Sequence, residues 1–267
     1  QKTDMYFKIK CPNRHHVTNI KWWRKKLNKF SRQHYESIQI HCHNVSSHKD
    51  KHISKVQEIN FRTRMKATAK WMKETFVKVG DQCLTLAQCS RSNYARFSEM
   101  YTILKGLNSY SESIDYDWSF ITITAPPEFH PTPQNNNSKW NESLPNETHD
   151  FLKKKWHKVQ SLLYSKKIHH FGIRVVESHE DETPHYHVLI WHKREDFDAI
   201  ANAFKHHFPG KNQVHFKRND GTSLASSYIC KYIRKSIDLD EDEDTLKVCT
   251  WRATWGIRAF QFFGVDG

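Results

Sequence analysis

Two histidines lie two residues apart at the start of an apolar run, in Thr183-Pro184-His185-Tyr186-His187-Val188-Leu189-Ile190. Side chains two apart in a strand point to the same face, so the imidazoles of His185 and His187 can share one cation. The preceding apolar run ends at Glu177, and the seven residues between Glu177 and His185 fit a tight hairpin. This spacing predicts an open metal site in which a divalent ion polarises a phosphoryl or carbonyl oxygen. Two alternatives stay open, namely surface histidines of an ordinary strand and a structural zinc completed by a distant cysteine.

A second constellation places two tyrosines and two lysines on one helix face. At 3.6 residues per turn, Tyr228, Lys231, Tyr232 and Lys235 share a face, while residues 229, 230 and 233 point toward a core. A phenol is a covalent nucleophile when a positive charge or a metal-polarised phosphate activates it. Tyrosines at helical spacing also occur as core packing, so the pattern alone leaves both roles open.

The metal set and the tyrosine pair together describe a transesterification. A tyrosine attacks the scissile phosphate in line, a 3′-hydroxyl leaves and the 5′-phosphate stays on the protein. The second tyrosine allows a second transfer before the first covalent bond is lost, which amounts to strand transfer without ATP.

Alternating strands and helices must position these residues. The pattern predicts strands over 118–124, 171–177, 185–191 and 213–217, and helices over 148–165, 195–207 and 223–237. This arrangement predicts an α+β domain around a mainly antiparallel sheet. We expect the acidic run 238–244 to form an exposed loop before a closing segment over 251–264, in which Trp251 and Trp255 pack in the core.

The positive charge lies in the first part of the chain. Residues 1–110 hold 22 Lys+Arg and 7 Asp+Glu, a charge of +15, whereas residues 111–267 carry −2. Apolar spacing predicts helices over 20–38, 53–79 and 84–107. We therefore predict two domains, a basic helical DNA-binding region over 1–112 and a catalytic domain over 113–267. The predicted phosphate contacts are Lys21, Arg24, Lys25, Lys26, Lys29, Arg62 and Arg64, and a solvated helix face is the alternative.

Composition excludes several other classes. The 267 residues include nine Trp but only eight Gly and eight Pro, which argues against a disordered basic tail or a low-complexity chain. The sequence has neither an apolar run of membrane-spanning length nor a signal-peptide pattern, so we expect a soluble cytoplasmic protein. The six scattered Cys predict reduced thiols. A zinc site formed by Cys11, His15 and His16 with the 41–43 group is a further hypothesis.

At these residues the sequence resembles the HUH endonucleases, in particular the bacteriophage gene A family of rolling-circle replication initiators. Residues 120–130 look like the first motif of that family, and Glu177 with 185–187 looks like its metal motif. The segment 228–235 looks like the two-tyrosine motif, 251–262 like the closing block, and 22–27 like an upstream tract. Tyr186 departs from the bulky apolar residue expected between the histidines, although an aromatic ring serves the same packing role.

The resemblance implies a ferredoxin-like sheet, nicking of single-stranded origin DNA, alone or in a hairpin, and a 5′-phosphotyrosine intermediate. It makes Glu177, His185 and His187 ligands of one Mg²⁺ or Mn²⁺ ion. Tyr228 becomes the nucleophile of the first cleavage and Tyr232 that of joining, with Lys231 and Lys235 as helpers for phosphate or leaving-group charge. Because the sequence has no Gly-x-x-x-x-Gly-Lys-[Ser/Thr] stretch, unwinding requires a host helicase in trans.

Two other functions remain in view from the sequence. A conjugative relaxase or a transposase would use the same chemistry in another biological setting. A non-enzymatic nucleic-acid-binding module would use the histidine pair for a structural zinc.

Overall fold

The computed structural model describes residues 18–132, 139–221, 224–237 and 243–265. The first half is mainly helical, and its elements are α1 (Ile20–His41), α2 (Lys55–Glu74), β1 (Phe76–Val79), β2 (Gln82–Thr85), α3 (Leu86–Cys89) and α4 (Asn93–Ser113). Asn19 begins α1 as its N-cap, because its side chain accepts a hydrogen bond from the Trp22 amide at 3.0 Å. Cys11, His15 and His16 lie outside the described residues, so the zinc hypothesis that includes them stays untested there.

Two predicted helix boundaries in this half are wrong. The helix predicted over 53–79 ends at Glu74, and residues 76–85 form the hairpin of β1 and β2 instead. Its turn is Gly80-Asp81, with Gly80 at φ +61°, a conformation that glycine adopts without strain. The helix predicted over 84–107 divides into α3 and α4, because Ser90 and Ser92 have extended backbones and Ser92 caps α4.

The second half forms the predicted sheet. Its elements are β3 (Asp117–Thr124), α5 (Pro145–Ser165), β4 (His170–Ser178), β5 (Pro184–His192), α6 (Phe197–His207), β6 (Val214–Arg218), α7 (Ala225–Ile237), α8 (Glu243–Trp255) and β7 (Phe260–Phe263). The five strands pair antiparallel in the order β6-β3-β5-β4-β7. The α+β fold with a central antiparallel sheet, preceded by basic helices, is confirmed.

Helices cover both faces of this sheet. On one face, Ile121 of β3 and Val188 of β5 pack with apolar residues of α5 and α6. On the other face, Phe120 and Leu189 pack with α4 and with Ile229 of α7. Successive residues of a strand face opposite sides, and β5 is therefore buried along its whole length.

The end of the chain contains a helix that the sequence analysis missed. Residues 238–242 of the predicted acidic loop lie outside the described residues, but residues 243–244 are the first residues of α8 and not part of a loop. Trp251 and Trp255 are 0% and 2% exposed, which confirms that they pack in the core.

The basic helices also contribute to this core. Ile40 of α1 and Ile53, just before α2, belong to the cluster that contains both tryptophans. The division at residue 112 stays a prediction about independent folding. Among the described helices, none combines the length and apolar character needed to cross a bilayer.

A buried carboxyl pair joins α1 to the turn between β4 and β5. Glu182, in that turn, is fully buried, and its Oε2 accepts a hydrogen bond from Trp255 Nε1 at 2.6 Å. Glu36 of α1 is equally buried, accepts a hydrogen bond from Ser54 Oγ at 2.6 Å and lies against the Glu182 carboxyl. Burial, and then the charge of Glu36, raises the pKa of Glu182 well above its usual value. Two facing carboxyl groups attract each other only when one is protonated, so Glu182 carries the proton.

We expect Glu182→Gln to change how stability depends on pH. The folded-state pKa of Glu182 exceeds its unfolded pKa of about 4.3. Its contribution is therefore fully present below that pH and is lost as the pH rises toward the folded-state pKa, at up to about 1.4 kcal/mol per pH unit. A neutral amide avoids the loss. The free energy of unfolding of the variant minus that of the wild type should increase between about pH 5 and 8, measured by urea unfolding.

Glu195→Gln is the matched control, because the Glu195 side chain is 78% exposed. Its difference from the wild type should stay nearly constant over the same pH range. A Glu182→Gln difference that is equally constant would contradict a buried protonated carboxyl group.

Candidate active site

The pairing of β4 with β5 brings the three predicted metal ligands together. In this register Glu177 lies opposite His185, and Val175 lies opposite His187. His187 Nε2 lies 3.1 Å from Glu177 Oε2 and 2.8 Å from His185 Nε2, and His185 Nε2 lies 3.5 Å from the same carboxylate oxygen. One ligand atom from each residue falls within 4.8 Å of the other two, and no other such group occurs in the part of the chain that the structure describes.

The protonation of this cluster suits a cation. Burial alone raises the pKa of Glu177, but hydrogen bonds from His185 and His187 outweigh it and hold that pKa well below its usual range. Burial lowers the pKa of His187 to about 4. At neutral pH Glu177 is therefore a carboxylate and His187 is neutral, which are the forms that bind metals. Thr122 Oγ1 lies 3.3 Å from His187 Nδ1 and orients the ring from behind.

The donor set fits a divalent ion with open positions. It consists of two imidazole nitrogens and one carboxylate oxygen, all converging from one face of the sheet. Three protein ligands leave positions for substrate oxygens, whereas structural zinc sites are closed by four. Tyr186, between the histidines, faces the opposite side, where its buried hydroxyl lies 3.0 Å from His149 Nδ1.

The tyrosine helix packs directly on this cluster. The ring of Tyr232 stacks on that of His187, with centroids 3.7 Å apart and planes at 24°. Lys235 Nζ lies 3.5 Å from Glu177 Oε1, and Lys231 Nζ lies 4.7 Å from the centroid of the Tyr232 ring. The structure therefore brings the predicted face of α7 and the predicted ligands into one site. Ile229 and Ile233 are buried on the sheet, as their positions in the helix predict.

Tyr228 lies one turn earlier on α7, in an aromatic setting. Its ring centroid lies 5.3 Å from that of Trp118 and 6.0 Å from that of Phe120. Lys217 Nζ, on β6, lies 4.3 Å from the Tyr228 ring centroid. A hydrogen bond to Tyr228 raises the pKa of Lys217. The sequence analysis missed Lys217 because its placement beside Tyr228 follows from the pairing of β6 with β3, for which the sequence gives no signal.

The predicted phosphate contacts lie on α1 and α2. Lys21, Arg24, Lys25 and Lys26 are exposed along α1, and Lys29 is half-buried. On α2, Arg64 is exposed, whereas Arg62 forms an ion pair with the buried Glu58 at 3.0 Å. A phosphate must therefore compete with Glu58 for Arg62 but not for the α1 cations.

Comparison with known proteins identifies the family. The model of the bacteriophage replication gene A protein family matches residues 8–240. The chain belongs to this family. Its relatives include the replication protein of Haemophilus phage HP1, 30% identical over 93% of this chain and 36% of that protein. The replication gene A protein of Escherichia phage 186 is 28% identical over 92% of this chain and 40% of that protein.

A probable replication endonuclease from a prophage-like region of Salmonella typhimurium is 27% identical over 68% of this chain and 26% of that protein. The present chain thus spans well under half the length of these relatives. No solved structure matches it.

Loss of one of the three candidate ligands should weaken metal binding at this cluster. We expect Glu177→Gln and His185→Gln each to reduce Mn²⁺ affinity by more than about tenfold. Even the removal of a group that only hydrogen-bonds to a metal ligand reduces metal affinity by about that factor. Isothermal titration calorimetry of the full chain measures the affinity. His206→Gln is the control, because His206 is exposed on α6 over the other face of the sheet. Wild-type affinity in both ligand variants would contradict the assignment.

Proposed function

We propose that this chain nicks and joins single-stranded DNA at a replication origin through a 5′-phosphotyrosine intermediate. The observation that carries the proposal is the stacking of Tyr232 on His187, which puts the tyrosine helix on a cluster able to hold a metal ion. Membership of the gene A family supports a role in rolling-circle replication. The name of one relative, a probable replication endonuclease, supports strand cleavage.

Each transfer exchanges one phosphoester bond for another. The Oη of a tyrosine attacks phosphorus, the bond from phosphorus to the 3′-oxygen breaks, and the phenolic proton is balanced by the proton that the leaving 3′-oxygen takes up. Lys231 and Lys235 favour the phenolate and the charge that develops on the phosphate. A bound Mg²⁺ or Mn²⁺ ion, held by Glu177, His185 and His187, would supply Lewis-acid polarisation of a non-bridging oxygen.

Two tyrosines permit a nick followed by a joining step. Tyr228 and Tyr232 are one turn apart on α7, so both can reach the same phosphate region while one holds a 5′ end. We assign the first cleavage to Tyr228, with Lys217 beside its ring, and the joining step to Tyr232. A three-ligand cluster favours this open catalytic site over the structural zinc of a non-enzymatic module.

Family membership and the distribution of charge support a cellular location and a set of partners for this activity. A phage replication initiator acts in the cytoplasm of its bacterial host, and a host helicase would supply unwinding in trans. Family membership favours phage replication over a conjugative relaxase or a transposase. Within this scheme the exposed cations of α1 hold the DNA backbone, with the phosphate cleaved at α7.

The tyrosine assignments predict distinct outcomes for three variants. With Mn²⁺ and single-stranded oligonucleotides that cover the origin, Tyr228→Phe should lose the covalent protein–DNA adduct by more than about 10³-fold, because the nucleophile is gone. Tyr232→Phe should cleave but fail to join. The double variant should do neither, as followed by denaturing gel electrophoresis.

Tyr164→Phe is the matched control, since Tyr164 is 85% exposed on α5, and it should behave as the wild type. An adduct formed by the double variant would show that another residue is the nucleophile.

Neutralising the α1 cations should weaken DNA binding but spare chemistry. In a variant with Lys21, Arg24, Lys25 and Lys26 changed to Gln, we expect the slope of log K against log salt to become shallower by about 0.7 for each lost phosphate contact. Cleavage of saturating short single strands should persist. Fluorescence anisotropy at several salt concentrations measures binding.

The control removes four charges elsewhere by changing the exposed Lys153, Lys154, Lys158 and Lys205 to Gln. These residues lie on α5 and α6, over the sheet face opposite α7. An equal change of slope in both variants would argue that binding follows net charge and has no site on α1.

A further inference from the structure

A cavity of about 650 Å³ opens where β3 ends, beside the turn between β4 and β5. Its walls include Thr124 at the end of β3, Pro127 shortly after it and His179 in the turn, together with Lys211 and Asn212 just before β6. Its volume lies within the range of about 300–1,000 Å³ that is typical of small-molecule pockets. Neither the metal ligands nor the two tyrosines line it.

The cavity is nonetheless adjacent to the candidate metal centre. Thr124, in its wall, pairs with His185 across β3 and β5. The ring of His179, also in its wall, lies 4.2 Å from the His185 ring, measured between centroids. Two residues of the cavity wall, Thr124 and His179, therefore contact or pair with a predicted metal ligand.

The acidic groups of the cavity already have partners. Asp181 is 6% exposed, lies 2.9 Å from His130 Nδ1 and accepts a hydrogen bond from the Thr183 amide at 3.0 Å. Glu180 forms an ion pair with Lys51 at 2.7 Å. The Asp181 contact also fixes the orientation of the His130 ring.

Two polar side chains of the wall are available to a ligand. Over the described part of the chain, Lys211 makes no ion pair and the Asn212 amide makes no hydrogen bond. Both residues are exposed at the turn that leads into β6. One unneutralised ammonium group matches the single charge of a phosphodiester, and an amide matches the paired donors and acceptors of a base edge.

We propose that this cavity binds one unpaired nucleotide of the DNA strand, next to the phosphate that is cleaved. The base lies between the Pro127 ring and the histidine rings of the wall, Asn212 contacts its edge, and Lys211 contacts its phosphate. Aromatic and apolar side chains on the two sides of a base, with a polar contact to its edge, are what proteins use to hold an unstacked base. This proposal rests on the proposed function, because it assigns the site a substrate contact.

Nucleotide titrations test the cavity without any cleavage. The probes are dAMP, dCMP, dGMP, dTMP and inorganic phosphate, each titrated into the full wild-type chain and followed by ligand-observed NMR. We expect at least one nucleotide to bind more tightly than phosphate. Lys211→Ala and, separately, Asn212→Gly should each weaken it by about 5- to 100-fold. Glycine is chosen because Asn212 has φ +63°.

Lys205→Ala and Asn202→Ala are the matched controls, since both residues are exposed on α6, and they should bind as the wild type does. Unchanged binding in the Lys211→Ala and Asn212→Gly variants, or phosphate binding as tight as that of every nucleotide, would overturn the proposal.

A cleavage experiment locates the base along the strand. Oligonucleotides with one abasic site at each position around the nick are cleaved by the wild type and by Asn212→Gly. We expect one abasic position to slow cleavage by the wild type by about 5- to 100-fold. The same abasic position should not slow cleavage by the Asn212→Gly variant any further. Equal effects of every abasic position in both proteins would overturn the assignment. If neither protein cleaves any strand, the proposed function fails, and the nucleotide titrations still decide whether the cavity binds a base.

Discussion

The pairing of β4 with β5 is the constraint on which the candidate site depends. Side chains of a strand alternate between faces, so a slip of one residue would move His185 and His187 to the side covered by α5 and α6. Tyr186 and Val188 would then have to face α7 in their place. Because β5 is buried on both faces, such a slip would disrupt two apolar clusters at once. Hydrophobic burial therefore fixes the ligand geometry before any ion is bound.

The same burial sets the electrostatics of the cluster. Glu177 carries a negative charge in surroundings that contain Phe120, Tyr232 and the neutral His187. Lys235 supplies a partly exposed positive charge at 3.5 Å, and a low local dielectric strengthens the attraction of a further cation. The 2.8 Å contact between the two Nε2 atoms needs a hydrogen on one of them. That imidazole would have to move its hydrogen to Nδ1 before both Nε2 atoms could bind an ion.

Much of this site could be predicted from local sequence patterns, because local geometry determines which residues share a face. The alternation around His185 and the helical spacing of Tyr228 and Tyr232 both correspond to observed elements. Features that depend on tertiary contacts could not be predicted. Lys217 meets Tyr228 only through strand order, and Glu36 meets Glu182 only when α1 packs on the turn between β4 and β5. The β1–β2 hairpin was missed because its short apolar run also fits a helical period.

The contacts of α1 and α2 show how the basic surface is attached to the site. The His52 amide donates to the Glu180 carbonyl at 3.0 Å, and Gln33 Nε2 donates to the Thr254 carbonyl of α8 at 3.0 Å. The buried carboxyl pair joins α1 to the turn between the two ligand strands, the His52 contact joins the loop before α2 to the same turn, and the Gln33 contact joins α1 to α8. The exposed cations of α1 therefore cannot shift relative to Glu177 and His185 without breaking buried polar contacts, which is costly in a low-dielectric interior. In the proposed function, phosphate binding by α1 and phosphate cleavage at the metal cluster therefore fall to different residues that are joined through these buried contacts.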